Sequence, residues 1–244
     1  MLHIEPRRDA AAEACHNWRC AAVFTLLAAA ALLVDRPLAQ WFVAGNTPDW
    51  IRKTCGLGEV FGHGLGVPLF LVAILVLDPT QRRAVVRIAA MAFGAGLLAN
   101  VFKLGIARYR PHKFDFTGGV LDTFSAWLPL GSAGSALQSF PSAHTATATG
   151  LAIGLAWLYP RATWLFAALA CLVVGQRMIS GYHFLSDTLF GAAVGCIFAG
   201  CCLHPRLLGT RFSRWEQAAQ KTAPSSQPGQ QMPDASAIRA TRAA

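Results

Sequence analysis

Charge is scarce in this chain. Only 14% of its 244 residues are charged, against roughly 25% in a soluble domain, and the shortfall argues against a water-soluble fold. Paired cysteine spacings are missing as well. The seven cysteines stand at positions 15, 20, 55, 171, 196, 201 and 202, and no two have a CxxC or metal-site spacing. Most lie in or beside apolar segments, so they read as small buried hydrophobes rather than a disulfide framework, and they leave the redox compartment open. A net charge of +9 could suggest nucleic acid, but a continuous basic soluble surface is lacking, so none is expected as a partner. The glycine patterns FGAGLL and GLGVPLF have no strand–loop–helix setting. They sit in apolar segments, where small residues let helices approach, and a nucleotide loop is rejected. No internal repeat is evident.

Apolar residues fill the space that charge leaves. They make up 54% of the chain and gather in runs that approach or reach the roughly 20 residues needed to cross a bilayer. The pattern predicts an all-α, polytopic helix bundle with six spans: about Trp18–Val34, Phe61–Leu77, Ala84–Phe102, Ser142–Tyr159, Ala162–Ile179 and Asp187–Leu203. The organisation that follows is a cytoplasmic lead over 1–17, a six-span bundle over 18–203 and a basic, disordered cytoplasmic tail over 204–244. The first run could be mistaken for a signal-peptide core, but more spans follow and the cleavage signal is poorly formed. Residues 35 to about 60 are rich in turn formers and aromatics. The polar stretch 104–140 is too irregular for hydrocarbon unless protein covers it.

Six spans put both termini on one side. That side carries 13 of the basic residues and the other carries 8. The short loops holding Arg82, Arg83 and Arg161 make the bias clearest, so the 104–140 stretch and the turn at 177–187 are expected to face outward. Three polar clusters then share the outer face: KLGIARYRP with Lys103 and Arg110, FPSAHTATATG with Pro141, Ser142 and His144, and QRMISGYHFLSD with Arg177, His183 and Asp187.

In order, spacing and shared side, these clusters resemble the type 2 phosphatidic acid phosphatase (PAP2) family, whose fold is shared with vanadium-dependent haloperoxidases. The family pattern is a lysine followed at a fixed spacing by arginine–proline, then PSxH, then an arginine followed by histidine and aspartate. Here it is met by Lys103 with Arg110-Pro111, by Pro141-Ser142-Ala143-His144, and by Arg177 with His183 and Asp187. Ala143 stands where the family usually has glycine, and Gln176 where serine often precedes the arginine. Neither change removes a charge or a proton carrier.

The resemblance implies a metal-independent lipid phosphate or diphosphate phosphatase that works through a phosphohistidine on His183. Asp187, four residues on, lies on the same face if the sixth helix begins through this stretch, and it is expected to fix the imidazole tautomer. His144 is expected to protonate the leaving group and then activate water. Lys103, Arg110 and Arg177 would neutralise the phosphoryl oxygens. Ser142, Ala143 and His144 sit at a helix start behind Pro141, where free N–H groups receive phosphate. Ser142 is expected to donate to a phosphoryl oxygen, a role compatible with capping the helix. Arg108 and Lys113 are open between lipid phosphate and the interface, His112 reads as surface packing, and Glu59 is open between helix capping and the active face.

No cofactor or metal is expected, because three cations would repel a divalent ion and favour a phosphate. The expected partners are the bilayer and a lipid phosphate or diphosphate, of the undecaprenyl diphosphate or phosphatidate type, in a bacterial plasma membrane with the site facing outward. The oligomeric state is left open. Rival readings are a phosphotransferase that passes the group to a lipid or sugar, and a non-enzymatic transporter or scaffold. Haloperoxidation fits a membrane-embedded chain poorly.

Overall fold

The computed structural model describes residues 8–130 and 134–221. The expected tail from 222 to 244 and the first seven residues of the lead lie outside them. Helix α1 (Ala10–Val43) begins where the Asp9 carboxylate accepts from the Ala11 N–H at 2.9 Å. Its 34 residues give a rod of about 51 Å at 1.5 Å per residue, longer than the roughly 30 Å of hydrocarbon. The turn-rich character of 35–60 predicts a break near Val34. The helix instead continues through Pro37, because Asp35 finds a cationic partner inside the bundle.

Next come α2 (Asp49–Leu57), α3 (Glu59–Gly62) and α4 (Val67–Leu77). The α2–α3 segment and α4 meet at 69°, a single path bent at its middle. Helix α5 (Ala84–Lys103) follows, then α6 (Ala143–Leu158), α7 (Thr163–Ile179) and α8 (Leu185–Leu203). All six predicted apolar segments are therefore helical, but the count of six spans is not reproduced. Among the described residues, four helical segments are long and apolar enough to cross a membrane, or five with the bent pair. The missing one is α6. It has only 16 residues, and 12 of them are buried, which makes it the central post of the bundle.

The bundle is apolar on its outside as well as within. Leu26, Leu33, Leu69, Leu77, Leu97 and Trp164 are all well exposed along the helices, as side chains facing lipid are. Inside, Gly150 of α6 and Gly195 of α8 let helices cross at backbone distance. A Cβ at Gly150 would fall 2.2 Å from the Met91 carbonyl oxygen, and one at Gly195 would fall 2.8 Å from that of Ala146.

Most described residues of the 104–140 stretch are exposed or partly exposed, with Ala107, Arg108, Pro111, Thr123 and Ser139 buried. The stretch forms a two-stranded antiparallel ribbon, β1 (Ile106–Arg108) with β2 (Phe124–Trp127). Ser139 N–H then donates to the Arg108 carbonyl at 3.1 Å, so the approach to α6 is laced to β1. At the opposite end, the expected disordered tail starts instead with helix α9 (Thr210–Lys221). Arg87 is buried there against Glu216 at 3.0 Å and lies over the Trp157 ring.

Candidate active site

All three polar clusters meet at one end of the bundle. Ser142 caps α6, its hydroxyl accepting from the Thr145 N–H at 3.4 Å and the Thr145 hydroxyl at 3.0 Å. Its own N–H donates to the Asp187 carbonyl at 3.0 Å, which ties the start of α6 to the first turn of α8. Arg110 lies over the Tyr182 ring at 5.1 Å, and Arg177 lies over the same ring at 5.2 Å. His144 and Ala143 stand in the first turn of α6 and remain partly exposed.

His183 is buried between α7 and α8. Its Nδ1 lies 2.6 Å from the Ser139 carbonyl oxygen. A carbonyl can only accept, so Nδ1 carries the proton and Nε2 keeps its lone pair. The expected direct bond from His183 to Asp187 is not made: that pair is 3.9 Å apart. Asp187 acts one residue removed, accepting from the Ser139 hydroxyl at 2.6 Å and the Phe184 N–H at 2.8 Å. The helix does not run through both residues, since α8 begins only at Leu185 and His183 stands in the turn before it. Helix spacing could not show that the carbonyl of residue 139 comes between them.

Burial holds His183 well below its ordinary pKa, and the charges of Lys103, Arg110 and Arg177 push the same way, against the Ser139 hydrogen bond. The imidazole is thus neutral, with a free nitrogen, among three cations. Among the described residues Lys103 has no hydrogen-bond partner, and the buried Nε of Arg110 has none either. Unspent donors in a low-dielectric pocket suit an anion. Among the described residues no three His, Cys, Asp or Glu side chains gather as metal ligands would.

Arg108 is neither a phosphate ligand nor an interface anchor. It is fully buried between the Phe124 and Phe184 rings, 4.5 and 4.2 Å from their centroids. It pairs with Asp35 at 2.8 Å and with Asp187, and donates to Ser186 at 2.7 Å and Thr123 at 3.0 Å. Ser186 in turn donates to Asp35 from its backbone N–H at 2.9 Å and from its hydroxyl. Sequence reasoning missed Asp35 because Asp-Arg-Pro reads as a turn. A lone acid at the end of an apolar run, with an unassigned arginine elsewhere, was the available signal.

Of the open positions, Glu59 joins the active face, pairing with Arg177 at 2.9 Å. His112 holds the α7–α8 turn through Gly181, with Nδ1 2.8 Å from that carbonyl, while Lys113 is exposed.

Fold and site together define a polytopic helical membrane protein with an anion-seeking pocket around two histidines. Residues 84–207 match the PAP2 superfamily, and the chain belongs to that family. A Lipid A 1-phosphatase of Rhizobium etli is 29% identical over 205 residues, 75% of this chain and 82% of that protein. A Lipid A 1-phosphatase of Rhizobium johnstonii is 36% identical over 105 residues, but this covers only 43% of the chain and 41% of that relative. No solved structure matches.

Proposed function

We propose that the protein is a metal-independent lipid phosphatase that works at the outer face of a bacterial plasma membrane through a phosphohistidine. The observation that carries the reading is the Nδ1 contact of His183 with the Ser139 carbonyl, which leaves Nε2 free beside three cations. In the first step Nε2 attacks phosphorus, the P–N bond forms and the bond to the leaving oxygen breaks. His144 gives its proton to that oxygen. In the second step His144 takes a proton from water, which attacks phosphorus, and the P–N bond breaks to release inorganic phosphate.

Lys103, Arg110 and Arg177 hold the non-bridging oxygens as charge shifts onto them, helped by the N–H groups at the start of α6 around Ser142 and Ala143. Asp187 is a positioning residue that holds Ser139, which in turn holds His183. The positive-inside count supports the outward orientation. Family membership and the names of both relatives support lipid phosphate hydrolysis, and those names favour a lipid A-type 1-phosphate over undecaprenyl diphosphate or phosphatidate.

The test is phosphate release in EDTA by purified wild type and His183→Ala in mixed micelles. Lipid A, undecaprenyl diphosphate, phosphatidate and phosphatidylglycerophosphate are offered separately. Wild type is expected to release phosphate with the highest kcat/KM on lipid A, and His183→Ala to release none. Equal rates in both proteins overturn the mechanism. A folded wild type inactive on all four, with labelled phosphate appearing in a second lipid, makes it a phosphotransferase instead.

A further inference from the structure

The bend between α3 and α4 carries polar groups that the reaction above does not use. Gly62 packs so closely on α6 that a Cβ there would lie 2.8 Å from the His144 carbonyl oxygen. The next residue, His63, brings its ring within 5.7 Å of the His144 ring. His63 Nδ1 accepts from the Leu65 N–H at 3.2 Å, so its neutral form carries the proton on Nε2 and offers a donor. One turn earlier, the half-exposed Glu59 offers carboxylate oxygens. It is held at Arg177 at 2.9 Å and by Gln176 Nε2 at 3.3 Å, while Gln176 Oε1 accepts from Arg177 Nε.

Donor and acceptor line a pocket of about 440 Å³ together with Val60, Leu65 and Leu69. These three apolar side chains are 45%, 81% and 65% exposed, so this end of the pocket opens to lipid. The pocket is polar at His63, whose ring neighbours that of His144, and apolar along the exposed Leu65 and Leu69.

We propose that this bend is the leaving-group subsite, taking an acylated sugar whose hydroxyl or amide groups meet His63 and Glu59 while a chain lies along Val60, Leu65 and Leu69. The inference rests on the reading that His144 protonates the leaving oxygen, because whatever is attached to that oxygen must then extend past His144. A polyprenyl diphosphate would leave as a polyprenyl phosphate, whose oxygens can accept from His63 but offer no donor to the Glu59 carboxylate. Glu59 has a second effect through Arg177: together with Gln176 it aims the guanidinium, so Glu59 is also a positioning residue.

The test measures binding rather than turnover. Affinity for a phosphonate analogue of diacylated glucosamine 1-phosphate is compared with affinity for inorganic phosphate, in detergent. The ratio is expected to fall about tenfold in Leu69→Trp, which fills the pocket from an exposed position and therefore folds. It is expected to fall severalfold in His63→Ala, with His63→Gln recovering part of it through its amide donor. Leu97→Trp, on lipid-facing α5, is the control and is expected to keep the wild-type ratio. An unchanged ratio in both Leu69→Trp and His63→Ala overturns the subsite, as does a wild type that binds the phosphonate no better than phosphate. A wild type that binds the phosphonate selectively yet never releases phosphate from the ester overturns the phosphatase reading and leaves the subsite standing.

Discussion

At the scale of single residues the proposed chemistry depends on keeping one imidazole neutral. A depressed pKa means that His183 loses its lone pair only when pH falls through that lowered value, not through the usual histidine range near about 6.5. His183 is therefore expected to impose no acid limb on phosphoenzyme formation in a single turnover down to about pH 6, as read by rapid-quench trapping of labelled His183. An acid limb centred at the ordinary histidine value would show that the buried cations do not act on it. Arg108 makes a different demand. Arg108→Met leaves Asp35 and Asp187 buried without their cation, and losing one partner of such a network costs about 3–5 kcal/mol. A large fall in Tm in detergent is expected. A variant that keeps its Tm but loses phosphate affinity would restore Arg108 as a substrate ligand.

At the scale of elements, the site depends on how closely α5, α6 and α8 approach. The Ser142 cap and the Asp187 carbonyl join α6 to α8 at the outer end, while glycines set the crossing distance farther down. Gly150→Val would place a branched side chain where a backbone carbonyl of α5 lies 2.2 Å from the new Cβ. Neither backbone can yield locally, so the helices must separate, and overpacking of this kind costs about 1–3 kcal/mol or more. A lowered Tm and reduced yield of folded protein are expected, measured by size-exclusion chromatography in detergent. Gly45, in an open turn with nothing within 4 Å of its Cβ position, lies far from any such crossing.

At the scale of the molecule, polarity is divided between the two ends. One end holds the three polar clusters and the β-ribbon. The other end is closed by α9, where Glu216 meets Arg87. Alkaline phosphatase inserted after Thr117 is expected to be active in intact cells, and the same reporter after Gln81 to be inactive. Reversal of the two would turn the site inward and remove the outer-leaflet substrate.

The sequence by itself determined the six helical segments, the sharing of one end by Lys103, Arg110, His144, Arg177 and His183, and the family, because apolar periodicity and motif spacing are local or one-dimensional signals. Only the tertiary structure decided that α6 is buried as the central post of the bundle. It also decided that α1 runs on to carry Asp35, and that Arg108 is an internal partner of two acids. Those outcomes hang on contacts between residues 73 and 79 positions apart. The interposed carbonyl of Ser139 belongs to the same class. Which atom comes between His183 and Asp187 depends on how the 104–140 stretch folds back across the helix ends, and no spacing within one helix encodes that path.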